Sequence, residues 1–142
     1  MKAEKRKQIK VKTTVYASAE EAWRIWTEPE HVKQWNYASE DWHTPSAIND
    51  LSPGGTFSFR MEARDGSEGF DFAGTYDAVE PHQCIAYTLD DGRKVEVKFV
   101  EKVNTTDVIE TFEPETTFSE EFQKQGWQSI LDNFKKYAEK EL

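Results

Sequence analysis

The stretch "QKQGWQSILDNFKKY", Gln123–Tyr137, decides how this chain folds. At about 100° per residue, Trp127, Ile130, Leu131, Phe134, Tyr137 and Ala138 fall within one arc of roughly 120°. That is the apolar stripe of a helix laid on a core. Two residues break the rule. Gln123 projects near the middle of the arc, one turn before Trp127, and Gly126 lies at its margin, on the side of Phe122. Glycine in a helix interior costs roughly 1 kcal/mol relative to alanine. Two readings follow. In one, Gly126 lets the helix pass close to a strand and Gln123 satisfies itself at the first turn. In the other, the N-terminal half of the helix roofs a cavity and the C-terminal half plugs a core. The Thr117 to Glu120 spacing predicts a capping box at the helix start. A helix from there to about Glu141 spans about 30 Å.

A helix of that length needs a partner, and the rest of the chain reads as strands. "QIKVKTTVY", Gln8–Tyr16, alternates Ile9, Val11, Thr13 and Val15 against Lys10, Lys12 and Thr14, the pattern of a half-buried strand. In "SAEEAWRIW", Ser18 and Glu21 form a capping box, and Trp23 and Trp26 share a helix face at i, i+3. Pro29 suits the first turn of a second short helix, Pro29 to about Gln34. The turn-rich "YASEDWHTPSAINDLSPGG" leaves room for a short strand near Ser46–Ile48. Beyond it Phe57, Phe59 and Met61 alternate with polar residues, as do Phe70, Phe72, Gly74 and Tyr76. Ile85, Tyr87 and Leu89 lead into "DDG", a hairpin signal. Val95, Val97 and Phe99 follow, then the less cleanly patterned "DVIETF". Each alternation gives one apolar and one wet face, which suits an antiparallel sheet. The fold class is α+β: two short helices after strand 1, then a curved antiparallel sheet of about six or seven strands wrapped around the long C-terminal helix.

The 142 residues suit a single domain, 1–142. The net charge of −9 argues against nucleic acid as a partner. Six Lys/Arg fall within residues 2–12, and residues 1–7 read as a flexible basic terminus. One cysteine, Cys84, rules out an internal disulfide. No apolar segment of signal-peptide or membrane-span type stands in the chain, so a cytoplasmic monomer is the expectation.

Motifs for chemistry are absent. His31, His43 and His82 do not stand at zinc-ligand spacing, with each other or with Cys84, and no metal is expected. There is no G-x-S-x-G and no phosphate loop. Glu62, Asp71, Asp77 and Arg60 alternate onto the polar, outer face. His43, beside Trp42 in the loop before the sheet, is the titratable group expected nearest a pocket mouth. The aromatics Trp35, Trp42, Phe57, Phe59, Phe72, Tyr76, Tyr87 and Trp127, with Met61 and Ile130, are core fillers or cavity walls. Tyr hydroxyls or Gln123 are candidates to orient a ligand there.

The order of "ASAEEAWRIWTEPEHVKQW" (Ala17–Trp35), "PGGTFSFRM" (Pro53–Met61), "FAGTYDAVEPHQCIAYTLDDGRKVEVKF" (Phe72–Phe99) and "GWQSILDNFKKY" (Gly126–Tyr137) resembles the SRPBCC, START-like or helix-grip, superfamily. Within it the chain is similar to single-domain bacterial proteins like the C-terminal domain of the activator of heat-shock-protein-90 ATPase. The resemblance implies a long helix gripped by a curved sheet with a cavity between them, where many members bind hydrophobic or amphipathic ligands. It supplies no catalytic set and no cofactor. The expected function is non-enzymatic binding of a small hydrophobic or amphipathic molecule. The alternatives are a protein-interaction or co-chaperone-like module and a small-molecule cyclase or hydrolase.

Overall fold

A computed structural model describes residues 7–141. The element order is β1 (Ile9–Val15), α1 (Ala19–Thr27), α2 (Pro29–Trp35), β2 (Trp42–Asn49), β3 (Thr56–Ala63), β4 (Gly69–Glu80), β5 (Cys84–Leu89), β6 (Lys94–Glu101), β7 (Thr106–Phe112) and α3 (Glu120–Lys140). The seven strands form one sheet in the order β1-β7-β6-β5-β4-β3-β2, and every neighbouring pair is antiparallel. This is the expected α+β helix-grip fold. Of the terminus read as flexible, residues 1–6 lie outside the described residues; Lys7 Nζ pairs with Glu120 Oε1 at 2.7 Å.

Local chemistry explains the short helices. Ser18 Oγ accepts from the Glu21 amide at 3.1 Å, capping α1. Glu28, the residue before Pro29, is extended (φ −72°, ψ 125°), as a pre-proline residue prefers, so α1 must end there. Pro29 then opens α2 at a position where no amide donor is needed. The start of α3 differs from the expected capping box. Its cap is Ser119, whose Oγ accepts from the Phe122 amide at 3.1 Å, two residues later than Thr117.

The sheet curls where its register slips, between His43 and Ser46 on β2 and between Tyr76 and Ala78 on β4. Such bulges bend a strand. Gly74 lets the curled strands close up, because a Cβ there would stand 2.5 Å from the Thr88 carbonyl oxygen and 3.1 Å from the Phe57 ring. β2 runs over Trp42–Asn49, longer than the short strand expected near Ser46–Ile48.

The helix binds the sheet in two ways. Leu131, Phe134 and Ala138 are fully buried in its C-terminal half. There Phe134 meets Trp26 and Trp35 edge-on, with ring centroids 4.9 and 5.1 Å apart. Polar side chains of α3 also hold the outer edge of β1. Gln128 donates to the Lys12 carbonyl at 3.1 Å and Lys135 to the Thr14 carbonyl at 2.9 Å. An edge strand otherwise presents those carbonyls for pairing with another chain. Among the described residues no helix is long and apolar enough to cross a membrane.

Candidate functional site

Alternation places Phe57, Phe59 and Met61 of β3, Phe72 and Tyr76 of β4 and Tyr87 of β5 on the concave face of the sheet. The N-terminal half of α3 stands over them. Between the two lies a pocket of about 870 Å³. Trp26 and Trp35 close the end nearest the plugged core, and Trp42, Phe70, Phe118 and Phe122 also border the space. Phe70, Phe118 and Phe122 are exposed.

The aromatic walls are packed as well as exposed to the pocket. Phe57 sits at the centre of a cluster, 4.9 Å from Tyr87, 5.1 Å from Tyr76 and 5.2 Å from Phe59 between ring centroids. Trp127 stacks face to face on Phe112, with centroids 3.9 Å apart and planes 7° from parallel. Its ring lies 6.1 Å from Phe72. Core filling and pocket lining are therefore joint roles of the same rings.

Most polar atoms around the pocket are already committed. Tyr76 donates to Asn49 Oδ1 at 2.6 Å, and Asn49 Nδ2 donates to the Thr27 carbonyl at 2.8 Å. The Trp35 indole donates to the Ile25 carbonyl at 3.0 Å. Gln123 is buried and fully engaged. Its Oε1 accepts from the Glu115 amide at 2.9 Å, and its Nε2 donates to the Glu115 and Phe118 carbonyls at 3.0 and 2.8 Å. Gln123 holds the segment before α3 in place and has no donor left to orient a ligand.

Gly126 gives the opposite answer to close packing. A Cβ built there meets nothing within 4 Å, and the position lines the pocket. The missing side chain leaves space rather than permitting contact.

Of the residues expected at a site, Trp35, Trp42, Phe57, Phe59, Met61, Phe72, Tyr76, Tyr87, Gln123, Trp127 and Ile130 line this pocket. His43 does not. Its Nε2 lies 4.0 Å from Glu62 Oε1, and Glu62 in turn accepts from Arg60 Nε at 2.8 Å. Alternation along β2 turns His43 to the face opposite Trp42, across from Glu62 of β3.

The sequence reading overlooked Glu110. It is 5 % exposed, lines the pocket, and has no hydrogen-bond partner or ion pair among the described residues. Burial alone pushes its carboxyl up from 4.5 to about 8. The signal was present in "DVIETF", where Val108, Glu110 and Phe112 alternate onto one face. Tyr87 faces the same pocket, and its hydroxyl also bonds to nothing among the described residues. Burial, reinforced by the Glu110 charge, raises its pKa well above the ordinary value. A further acid, Glu115, has a buried Oε1 with no partner and lines the same space. Among the described residues, no group of three or more His, Cys, Asp or Glu side chains is arranged to hold a metal ion.

A family model described as "Activator of Hsp90 ATPase homolog 1-like protein" matches residues 16–139. The chain belongs to this family. Solved AHSA1-like structures extend along nearly its whole length. The AHSA1-like protein from Aeromonas hydrophila is 42 % identical, with a TM-score of 0.89 over 95 % of this chain and 94 % of that one. Chr148 from Cytophaga hutchinsonii is 48 % identical, with a TM-score of 0.82 over 94 % and 93 %. NE0264 from Nitrosomonas europaea shares the fold at 19 % identity, with a TM-score of 0.83 over 95 % and 96 %. No curated protein matches the chain. The AHSA1-like fold, with its sheet curled about α3, commonly binds ligands or serves as a co-chaperone-like module.

Proposed function

We propose that this protein binds a small amphipathic molecule in the pocket between β3–β5 and the N-terminal half of α3. The observation that carries the reading is the contrast along one helix. Its C-terminal half is sealed by Leu131, Phe134 and Ala138, while its N-terminal half stands over about 870 Å³ walled by aromatic rings. Pockets of this size, apolar with a few convergent polar groups, suit small organic ligands. The test is an NMR titration with short-chain amphiphiles. Resonances of Trp127 and Phe59 should shift before those of Lys10, and Gly126→Leu, which puts a side chain into the open space, should weaken the response at least several-fold while the protein stays folded. Shifts spread evenly over the surface would overturn the reading.

A protein-interaction role has one observation in its favour. Phe118 and Phe122, 54 and 61 % exposed, form an apolar pair with ring centroids 5.3 Å apart. These rings also border the pocket, so the ligand reading accounts for them without a second partner.

A further inference from the structure

Glu110 occupies a place where the sheet gains nothing from an acid. In register it lies between Val11 of β1 and Val97 of β6, 2 % and 0 % exposed. Val108 and Phe112, its neighbours on the same face of β7, are fully buried. An apolar residue there would complete the core. A carboxylate must be desolvated, and desolvation is offset only by a cation or by donors. The protein supplies neither. Lys10 and Lys12 of β1 alternate to the other face from Val11. Arg93, the only basic side chain among the described lining residues, donates to Asp91 Oδ2 at 2.8 Å and to the Glu113 carbonyl at 3.5 Å.

The remaining charge of the pocket has the same sign. Asp90, Asp91 and Glu115 line it with Glu110, against Arg93 alone, while the Asp71 carboxylate turns to the outer face and pairs with Arg60 at 3.4 Å. Glu115 has a buried carboxylate oxygen, Oε1, without a donor. It is held where it is by the Gln123 amide, which bonds both its backbone N–H and its carbonyl. An anionic amphiphile would bring its head group against this field.

On the ligand-binding reading above, we infer that the pocket selects amphipathic amines, with the tail among the aromatic rings and an ammonium group donating to Glu110. A primary or secondary ammonium brings both the missing charge and the missing N–H donors, and charge-assisted bonds of this kind are roughly twice as strong as neutral ones. Without ligand, Glu110 holds its proton at neutral pH, since its carboxyl is pushed up to about 8. Pairing with ammonium favours the carboxylate, so amine binding near pH 7 releases that proton. Besides the acids and Arg93 already named, the titratable side chains around the pocket are Tyr76 and Tyr87, which burial keeps neutral there. The described residues that α1, α2 and α3 contribute to the lining are not titratable.

The experiment compares decylamine, decanol, methyl nonyl ketone and decanoate below their aggregation limits, by calorimetry with the wild-type protein and Glu110→Gln. Decylamine should bind about tenfold or more tightly than decanol or the ketone, a difference of about 1.4 kcal/mol, and decanoate should bind weakest. Runs in buffers of different ionisation enthalpy should show net release of about one proton with the amine alone. Glu110→Gln should abolish that release and bring decylamine close to decanol. Decanol or the ketone matching the amine, or decanoate binding best, would overturn the amine selectivity and leave the ligand pocket standing. Binding of none of the four would remove both. Should Glu110→Gln fail to fold, the wild-type ranking and proton count decide the question by themselves.

Discussion

Glu110 sets a pH dependence on the whole fold. The folded state keeps the proton up to about 8, whereas the free carboxyl loses it near 4.5. Between those values the folded state binds more protons than the unfolded state, so stability falls as pH rises through that window. The contribution is fully present below about 4.5 and lost above about 8. Its slope is at most about 1.4 kcal/mol per pH unit. Chemical denaturation of Glu110→Gln across this range should give a flatter profile than wild type, with the variant relatively more stable at the alkaline end. Parallel profiles for the two proteins would show that the carboxyl is not desolvated. Gln123 and Gly126 carry a related lesson. The helical projection correctly found both as interruptions of the stripe, but a projection has no second body in it. Whether a polar side chain meets a carbonyl, or an absent one faces a wall, depends on residues such as Glu115 and Phe118 that the stripe does not contain.

Elements were legible where alternation was undisturbed and less so where turn-forming residues intruded. β1, β3, β5 and β6 follow directly from their apolar periods. In β2, "WHTPSAIN" mixes Pro45, Ser46 and His43 into a strand that its pairing with β3 extends from Trp42 to Asn49, so local composition understated it. At α3 two overlapping signals compete in "TTFSEE". Thr117 has a glutamate three residues on, but Ser119 is the residue whose hydroxyl meets an orphan amide. Ser119→Ala should therefore cost about 1 kcal/mol, the usual loss for an N-cap, while Thr117→Ala should stay within a few tenths. Urea denaturation of the two variants distinguishes them, and the reverse order would restore the Thr117 cap. The pocket's aromatic walls were visible as a set in the sequence. Its buried acid, Glu110, was not, because "DVIETF" shows Val108, Glu110 and Phe112 on one face but only β1 and β6, laid beside it, show that this face is buried.

The molecule as a whole divides along α3 into a sealed end and an open end. Truncation of equally large rings should register that division. Phe134→Ala, at a fully buried ring between Trp26 and Trp35, should cost about 3–5 kcal/mol. Phe59→Ala enlarges a space that already exists and should cost less than half as much, while reducing ligand affinity. Equal losses of stability would mean that both ends are packed alike. The strand order has a consequence of another kind, in time rather than in space. β1 lies beside β7, with Ile9 opposite Phe112, so β1 waits about a hundred residues for its mate. The sheet cannot be completed, nor α3 lock the outer edge of β1, until β7 and then α3 have been made. Assembly is thus governed by a late, long-range closure, of the sort that slows folding, and until it happens the lysines alternating along β1 are the strand's own defence against pairing with a neighbour.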